Sequence, residues 1–167
     1  MIGLLTCACG MFEYTSCGLF DPRFCSPDPF YQSSGEIDCL RVPLLEPYEA
    51  IKIDDTGWYI DLNPESLKEE FCIGINDAKE IAIIDARIYV YSDYIRPEGN
   101  NIEIKSFHWF VIDVGNNTEM VFKTEDEFQQ YLKNNGDITP EWMALDDAFK
   151  EFEQTGCLAW VPGCDEE

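Results

Sequence analysis

Apolar and polar residues alternate with a period of two in the middle of the chain. Residues 48–54 place Ile51 and Ile53 on one face, and residues 58–62 repeat the alternation after Gly57. Successive side chains of a β-strand point to opposite faces, so this pattern is typical of strands with one buried face. The Asp, Thr and Gly residues between the two runs favour a turn. The two segments are therefore predicted to form a β-hairpin.

Further strands are predicted downstream by runs of β-branched and aromatic residues. These runs cover residues 81–84, 87–91 and 102–114, and the last is the longest strand candidate. Residues 115–117 are Gly-Asn-Asn and suit a turn, because Gly and Asn tolerate positive φ; the turn would return the chain into residues 118–122. The pattern predicts a mainly antiparallel sheet of about five to six strands.

The C-terminal part of the chain changes to a helical period. Thr124 and Glu127 form a capping-box pattern, in which each side chain satisfies a free backbone N–H, and Gly136 ends this first helix. Pro140 opens a second helix, which Gly156 ends. Apolar residues recur along the second segment at three- and four-residue steps: Trp142, Leu145, Phe149 and Phe152. Strands followed by helices predict an α+β fold with two C-terminal helices.

A single domain spanning residues 1–167 is predicted, because the length suits one core and no linker interrupts the chain. Its expected parts are an irregular Cys- and aromatic-rich N-terminal arm packed on the domain, a β-rich middle, a helical segment and a tail: residues 1–46, 47–122, 123–156 and 157–167. Within the middle, the Asn-Pro pair at residues 63–64 predicts a short helix to about Cys72.

The charge of the chain restricts its partners. Thirty-three acidic residues against eleven basic ones give a formal charge of −22, while 46% of residues are apolar and 14% aromatic. Acidic disordered chains are poor in aromatic residues, so the charge is expected on a folded surface. Such a surface repels nucleic acid and anionic lipid, and it attracts basic proteins. A basic protein is therefore the expected partner, with no direct nucleic-acid binding, and the oligomeric state is left open.

The sequence contains no run of about 20 apolar residues, so no membrane span is predicted. A cytoplasmic location is the first expectation. The alternative is an exported or lipid-anchored protein, because residues 4–10, Leu-Leu-Thr-Cys-Ala-Cys-Gly, resemble the end of a bacterial lipoprotein signal from which an upstream part is missing.

Eight cysteines allow three interpretations. They are concentrated at the two ends of the chain, with one in the middle: Cys7, Cys9, Cys17, Cys25, Cys39, Cys72, Cys157 and Cys164. Reduced, mostly buried cysteines in a cytosolic protein are expected first. Disulfides in an exported protein, joining the N-terminal arm to the C-terminus, are the second interpretation. A zinc site is the weakest, because no paired C-x-x-C motif is present.

The sequence offers little for catalysis. His108 is the only histidine and is placed by the pattern in a strand, facing away from Phe107 and Trp109. No phosphate-binding glycine motif and no nucleophile elbow is present. No catalytic residue, cofactor or metal ligand is therefore predicted, although a small hydrolase with an acid pair or a metal site stays an alternative.

A partner-binding surface is the remaining candidate site. It combines acids of the second helical segment with tyrosines on the strands: Glu141, Asp146, Asp147, Glu151, Tyr59, Tyr89 and Tyr91. Further acids border the tyrosines: Asp61, Asp85 and Asp93. Exposed tyrosines and a polar rim are typical of interfaces. The equal alternative is that the N-terminal arm covers this face of the sheet and buries the tyrosines. The leading hypothesis is a non-enzymatic acidic module that binds a basic partner, such as an immunity protein that neutralises a bacterial toxin, or an inhibitor. An exported or lipid-anchored surface protein is the alternative from another class.

Overall fold

Most of the alternating segments of the sequence assemble into one large antiparallel sheet. The computed structural model describes residues 28–32, 35–36, 39–53, 57–62, 74–93, 95–98, 103–136 and 138–164. The strands are β1 (Gly35–Glu36), β2 (Cys39–Pro43), β3 (Glu49–Ile53), β4 (Trp58–Asp61), β5 (Gly74–Ile84), β6 (Arg87–Ser92), β7 (Ile95–Glu98), β8 (Glu103–Ser106), β9 (Trp109–Asp113), β10 (Thr118–Phe122) and β11 (Met143–Ala144). The helices are α1 (Glu125–Asn134) and α2 (Leu145–Thr155), and a 3-10 turn covers Pro29–Tyr31.

The α+β fold class is confirmed, with a mainly antiparallel sheet and two helices near the C-terminus. Strands follow one another in the order β1-β2-β3-β4-β5-β6-β9-β10, and β11 joins β5. Among the described residues this sheet has nine strands instead of the predicted five to six, because β1 and β2 begin it within residues 1–46 and β11 joins it between the two helices. The part of the N-terminal arm that the structure describes is thus only partly irregular. The short helix expected from residue 63 to Cys72 lies outside the described residues, as do the first 27 residues.

The two predicted hairpins are confirmed, because β3 pairs antiparallel with β4 and β9 pairs antiparallel with β10. β5 and β6 form a third hairpin; the sequence predicted these two strands but not their pairing. Two of the turns place a residue in the left-handed region, Asp85 with φ 55° and Asn117 with φ 49°. Asp and Asn tolerate this region because their short side chains can bond to nearby backbone groups.

The segment 102–114 does not form one continuous strand. β8 pairs with β7 in a separate two-stranded sheet, and β9 pairs with β6. Tyr91 pairs with Trp109, and Ile95 pairs with Ser106. The first chain segment advances four residues between these two pairs, whereas the opposite segment advances only three, so the register shifts by one residue. Such a slip reverses the side-chain alternation, which the pattern of a single strand cannot show. His108 lies in this break rather than inside a strand.

The start of the second helix also differs from the prediction. α1 has the predicted capping box: the Thr124 hydroxyl accepts from the Glu127 N–H at 3.3 Å, and a Glu127 carboxylate oxygen accepts from the Thr124 N–H at 3.3 Å. α2 begins at Leu145, several residues after Pro140, because β11 pairs with β5 and bonds its backbone to the sheet. Gly156 ends α2 as predicted, with φ 69° and its N–H donating to Phe152.

Each helix covers a different face of the sheet. α2 buries Leu145, Ala148 and Phe152 in a large core with residues from β2, β4, β5, β6 and β9. α1 buries Phe128 and Leu132 in a smaller core on the opposite face. These clusters are called the main core and the second core.

In the part of the chain that the structure describes, no helix is both long enough and apolar enough to cross a membrane.

The C-terminal tail is packed into the main core. Leu158 and Val161 are almost fully buried, and the Trp160 indole N–H donates to the Pro43 carbonyl at 2.9 Å. Cys157 and Cys164 form a disulfide with their Cα atoms 5.5 Å apart, and Cys39 is also disulfide-bonded. The expectation of reduced thiols is therefore corrected for these cysteines. Since Cys157 and Cys164 pair with each other, neither joins the N-terminal arm to the C-terminus.

Candidate functional site

A groove of about 390 Å³ lies where β4, the middle of β5 and the end of β6 meet the beginning of α2. Its charged lining consists of four carboxylates and two ammonium groups: Asp77, Glu80, Asp93, Asp146, Lys52 and Lys79. Trp58 and Tyr91 contribute two aromatic rings. We call this feature the acidic groove. Its lining comes from residues 52 to 146 of the sequence, so only the folded sheet brings these side chains together.

A β-bulge shapes one wall of the acidic groove. The register of β5 against β6 shifts between Ala78 and Glu80, and Asp77 has a positive φ of 51°. Bulges redirect side chains and are frequent at binding sites. Gly57 is required opposite the bulge, because a Cβ at this position would overlap the Asp77 carboxylate. The buried Ser92 hydroxyl donates to the Asn76 carbonyl at 2.6 Å and holds the bulged backbone in place.

Asp146 holds a cation at one end of the acidic groove. Its Oδ1 accepts from the Trp58 indole N–H at 2.9 Å and from the Lys52 ammonium at 3.0 Å. These hydrogen bonds, the indole first, lower the pKa of Asp146 below its usual value. The Lys52 ammonium lies 5.6 Å from the centre of the Trp58 ring, within the range of a cation–π contact. This end of the groove thus shows a primary ammonium between a carboxylate and an aromatic ring.

Tyr91 and Asp93 form the other end. The Tyr91 hydroxyl donates to Asp93 Oδ1 at 2.6 Å. This bond, together with desolvation and the charges of Asp93 and Glu80, raises the pKa of Tyr91 to about 12. The phenol therefore stays neutral at physiological pH and acts as a hydrogen-bond donor. Glu80 lies directly across from Tyr91 in the ladder between β5 and β6.

The charges of the acidic groove are only partly balanced internally. Lys52 pairs with Asp146 at 3.0 Å, and Lys79 pairs with Asp77 at 2.7 Å. Glu80 and Asp93 have no Lys or Arg partner within the part of the chain that the structure describes. Two carboxylates are thus available to an external cation, next to two carboxylates that already hold one each.

The arrangement of side chains in the acidic groove does not suit a metal ion. Among the described residues, no three His, Cys, Asp or Glu side chains converge closely enough to hold a metal ion. His108 does not line the groove, and its Nδ1 donates to the Ser92 carbonyl at 2.8 Å. The groove offers acceptors spread along its walls, which suits extended cationic side chains better than a single small ion.

The structure divides the predicted partner-binding residues into three groups. Asp146 and Tyr91 line the acidic groove together. Glu141, Asp147 and Glu151 are exposed outside it, and Asp147 forms an ion pair with Lys150 at 3.0 Å. The two remaining tyrosines are not exposed to solvent to the same degree. Tyr59 is half-buried with its ring against Gly74, and Tyr89 is fully buried.

Tyr89 is a correction to the predicted surface. Its ring lies in the second core, 6.4 Å from Phe128, so it cannot contact a partner of the folded protein. The prediction failed here because α1 covers the sheet face that carries Tyr89. Tyr91 escapes this burial because it lies two residues further along β6, near the end of the strand.

Sequence patterns missed the roles of Lys52, Asp77 and Glu80. The available signal was the run from Asn76 to Glu80, where polar residues interrupt the alternation of a strand. Such an interruption indicates a bulge only when the partner strand is known. Trp58 lies in the predicted strand of residues 58–62, but its hydrogen bond to Asp146 spans 88 residues of the sequence.

The cations in the rest of the described structure are largely paired as well. Arg41 contacts Glu49, and Arg87 donates to Asp113 at 3.1 Å. Acids on the outer face of α2, among them Glu151 and Glu153, are exposed. The negative charge of the surface is therefore not neutralised by the protein itself.

No protein-family model, curated protein or solved structure matches this chain. The function of the acidic groove therefore has to be inferred from its side chains.

Proposed function

We propose that this protein is a non-enzymatic binding module that captures a basic protein, as an immunity protein captures a toxin or an inhibitor captures an enzyme. One observation carries the proposal: the acidic groove already holds the Lys52 ammonium between Asp146 and Trp58. The groove therefore has the chemistry to receive a lysine or arginine side chain of a partner at its unbalanced end.

The net charge supports the encounter with such a partner. A formal charge of −22 creates a negative potential that raises the association rate with cationic proteins. At physiological ionic strength this attraction extends only about 8 Å from the surface. Specific binding therefore requires short-range contacts, which the groove can supply.

Glu80 and Asp93 are the side chains proposed to make these contacts. A guanidinium or ammonium group entering beside them would form charge-assisted hydrogen bonds, each contributing about 1.5–3 kcal/mol when water is excluded. Asp93 is held by Tyr91, so little ordering is needed before the partner binds.

Two variants with the same change in charge test the proposal. Glu80→Gln combined with Asp93→Asn removes two charges inside the acidic groove, and Glu151→Gln combined with Glu153→Gln removes two on the exposed face of α2. Binding of an oligo-arginine peptide and of purified cationic proteins would be measured by isothermal titration calorimetry at low and at physiological salt. We expect the groove variant to lose at least about tenfold in affinity and the α2 variant to lose less than about threefold.

Two outcomes would contradict this proposal. Equal losses in both variants would show that only the total charge matters. Affinity that does not change with salt concentration would exclude an electrostatic mechanism. Thermal unfolding of each variant provides the control for folding, since all four positions lie at the surface or in the open groove.

A second candidate, an exported or lipid-anchored surface protein, has one observation in its favour. Cys157 and Cys164 are bonded to each other, and Cys39 is also in a disulfide. Disulfides persist in oxidising compartments and are rare in the cytosol. The test is mass spectrometry of the denatured protein after alkylation without reductant. Alkylation of Cys157 and Cys164 in protein isolated from its native source would contradict export.

A further inference from the structure

The last strand of the main sheet, β10, lies at an edge that no other strand of the described residues covers. It pairs with β9 over five consecutive residues without a register shift, and no strand among the described residues pairs with its outer side. Natural proteins usually protect such edges with Pro, charged side chains, a bulge, a very short strand, or a helix or loop that covers the edge; β10 carries one charged residue, Glu119. The strand, Thr-Glu-Met-Val-Phe, has neither Pro nor bulge, whereas β1 at the opposite end is only two residues long.

The backbone groups that point outward follow from the hydrogen bonds of β9. The Val114 N–H donates to the Ala86 carbonyl, and the His108 carbonyl accepts from the Ser92 N–H. Within β9 itself, even-numbered residues therefore direct their backbone toward β6, and odd-numbered residues direct theirs toward β10. His108, just before β9, is divided between the two, because its N–H donates to the Phe122 carbonyl at 3.2 Å. By the register of the two strands, β10 then directs its backbone outward at two residues, Glu119 and Val121.

The side chains beside this edge combine one apolar residue with several acids. Val121 is 41% exposed and lies opposite Phe110, on the face of the sheet that α2 covers further along. Glu119 is exposed on the same face. Immediately after β10, the first turn of α1 adds three exposed acids: Glu125, Asp126 and Glu127.

We propose that β10 accepts an extended basic segment of the partner as an additional strand. Backbone N–H and C=O groups of Glu119 and Val121 would pair with that segment, and the acids nearby would attract its Lys and Arg residues. A second copy of this chain is a poor occupant, because each copy carries a formal charge of −22. The inference rests on the proposed function and adds the mode of binding.

Val121→Pro tests this mode directly. Proline removes the outward N–H of residue 121 but no hydrogen bond to β9, and edge strands accept it at such positions. Val121→Thr is the matched control, because it keeps the N–H and a β-branched side chain. The probe is a fluorescein-labelled heptapeptide of alternating lysine and valine, and its control is a heptapeptide of alternating lysine and proline with the same charge.

Fluorescence anisotropy is expected to show binding of the lysine–valine peptide that weakens with salt. Val121→Pro should weaken it at least about tenfold, and Val121→Thr should change it by less than about threefold. The lysine–proline peptide should bind at least about tenfold more weakly than the lysine–valine peptide. Equal affinity of wild type and Val121→Pro would overturn the proposal for the edge.

Hydrogen exchange of the wild-type protein gives a second, independent measurement. Addition of the lysine–valine peptide should slow exchange at the amides of Glu119 and Val121, and unchanged exchange there would overturn the inference even if Val121→Pro failed to fold. Sedimentation velocity of the wild-type protein tests the other occupant. If it detects dimers and Val121→Pro abolishes them, a second copy of the chain pairs with β10, and the choice of a basic partner segment is overturned.

The failure of this inference is distinguishable from that of the proposed function. If Glu80→Gln/Asp93→Asn loses binding while Val121→Pro keeps it, only the edge proposal fails. If the wild-type protein binds no cationic probe at low salt, both fail.

Discussion

The contact between Asp146 and Trp58 allows a quantitative test of the acidic groove. Asp146 receives two hydrogen bonds, one from the indole of Trp58 and one from the ammonium of Lys52. Trp58 is only 3% exposed, whereas the Asp146 side chain is 62% exposed and that of Lys52 is 25% exposed. Asp146→Ala removes the acceptor for both donors, and Asp146→Asn keeps an oxygen acceptor but removes the charge.

The expected magnitudes differ because the two donors differ in burial. Loss of the acceptor for a largely buried N–H costs about 1–3 kcal/mol. A solvent-exposed ion pair contributes only about 0–1 kcal/mol. Asp146→Ala should therefore lower the free energy of unfolding by about 2 kcal/mol, most of it from Trp58, and Asp146→Asn by less than about 1 kcal/mol.

Urea denaturation with two double-mutant cycles separates these contributions. The first cycle combines Asp146→Ala with Trp58→Phe, and the second combines it with Lys52→Met. The first is expected to give a coupling energy of about 1–2 kcal/mol and the second less than about 1 kcal/mol. A larger coupling with Lys52 than with Trp58 would refute this assignment and would make the ion pair the main contact.

The pH dependence of the unfolding free energy shows whether the charge of Asp146 stabilises or destabilises the folded state. The pKa of Asp146 lies below its ordinary value of 3.8, so its charge stabilises the folded state at neutral pH. This contribution is lost as the pH falls from about 4 through the folded pKa. The difference in unfolding free energy between wild type and Asp146→Asn should therefore decrease on acidification below about pH 4. A difference that grows on acidification would contradict the direction of the shift.

Two further predictions concern packing and the tail. Gly74→Ala should lower the free energy of unfolding by about 1–3 kcal/mol, because its Cβ would overlap the Tyr59 ring, while the control Gly115→Ala places its nearest neighbouring atom at 3.7 Å. Equal losses in urea denaturation of the two variants would contradict this. Serine at both Cys157 and Cys164 opens a disulfide loop with a sequence separation of 7. It should lower stability by about 2–3 kcal/mol, and an unchanged urea midpoint would contradict a structural role of this bond.

Features of the fold that depend on a few neighbouring residues were predictable from sequence. The capping box of Thr124 and Glu127 acts within one turn and is present in the structure. Gly156 and Asn117 likewise occupy the left-handed positions that their residue types favour. These signals need no knowledge of the tertiary structure, because both partners of each interaction lie within a few residues.

Features that depend on competition between distant segments were not predictable. The period of the second helical segment continues before Leu145, yet residues Met143 and Ala144 pair with β5, because the open side of that strand accepts their backbone groups. In the same way, the burial of Tyr89 depends on α1, which comes several strands later in the chain. The acidic groove depends on distant segments in two ways. Its bulge requires the pairing of β5 with β6, and the position of Asp146 requires the packing of α2, so neither could be predicted from local sequence.

The positions of the two proposed surfaces imply that one partner can occupy both. Tyr91, at the end of the acidic groove, lies across from Trp109, and Trp109 lies across from Phe122, the last residue of β10. Adjacent strands are about 4.8 Å apart, so these two sites are separated by about 10 Å. A segment paired with the outer side of β10 lies one strand spacing beyond Phe122, and Glu80 lies one spacing beyond Tyr91 on β5. The segment is therefore about 19 Å from Glu80, a distance that about six further residues in extended conformation span. If a single partner binds both surfaces, Val121→Pro and the groove variant Glu80→Gln/Asp93→Asn should each weaken binding of that same partner, and their effects on the binding free energy should add because the two sites are well separated. A partner whose affinity falls with only one of the two variants would contact only that surface.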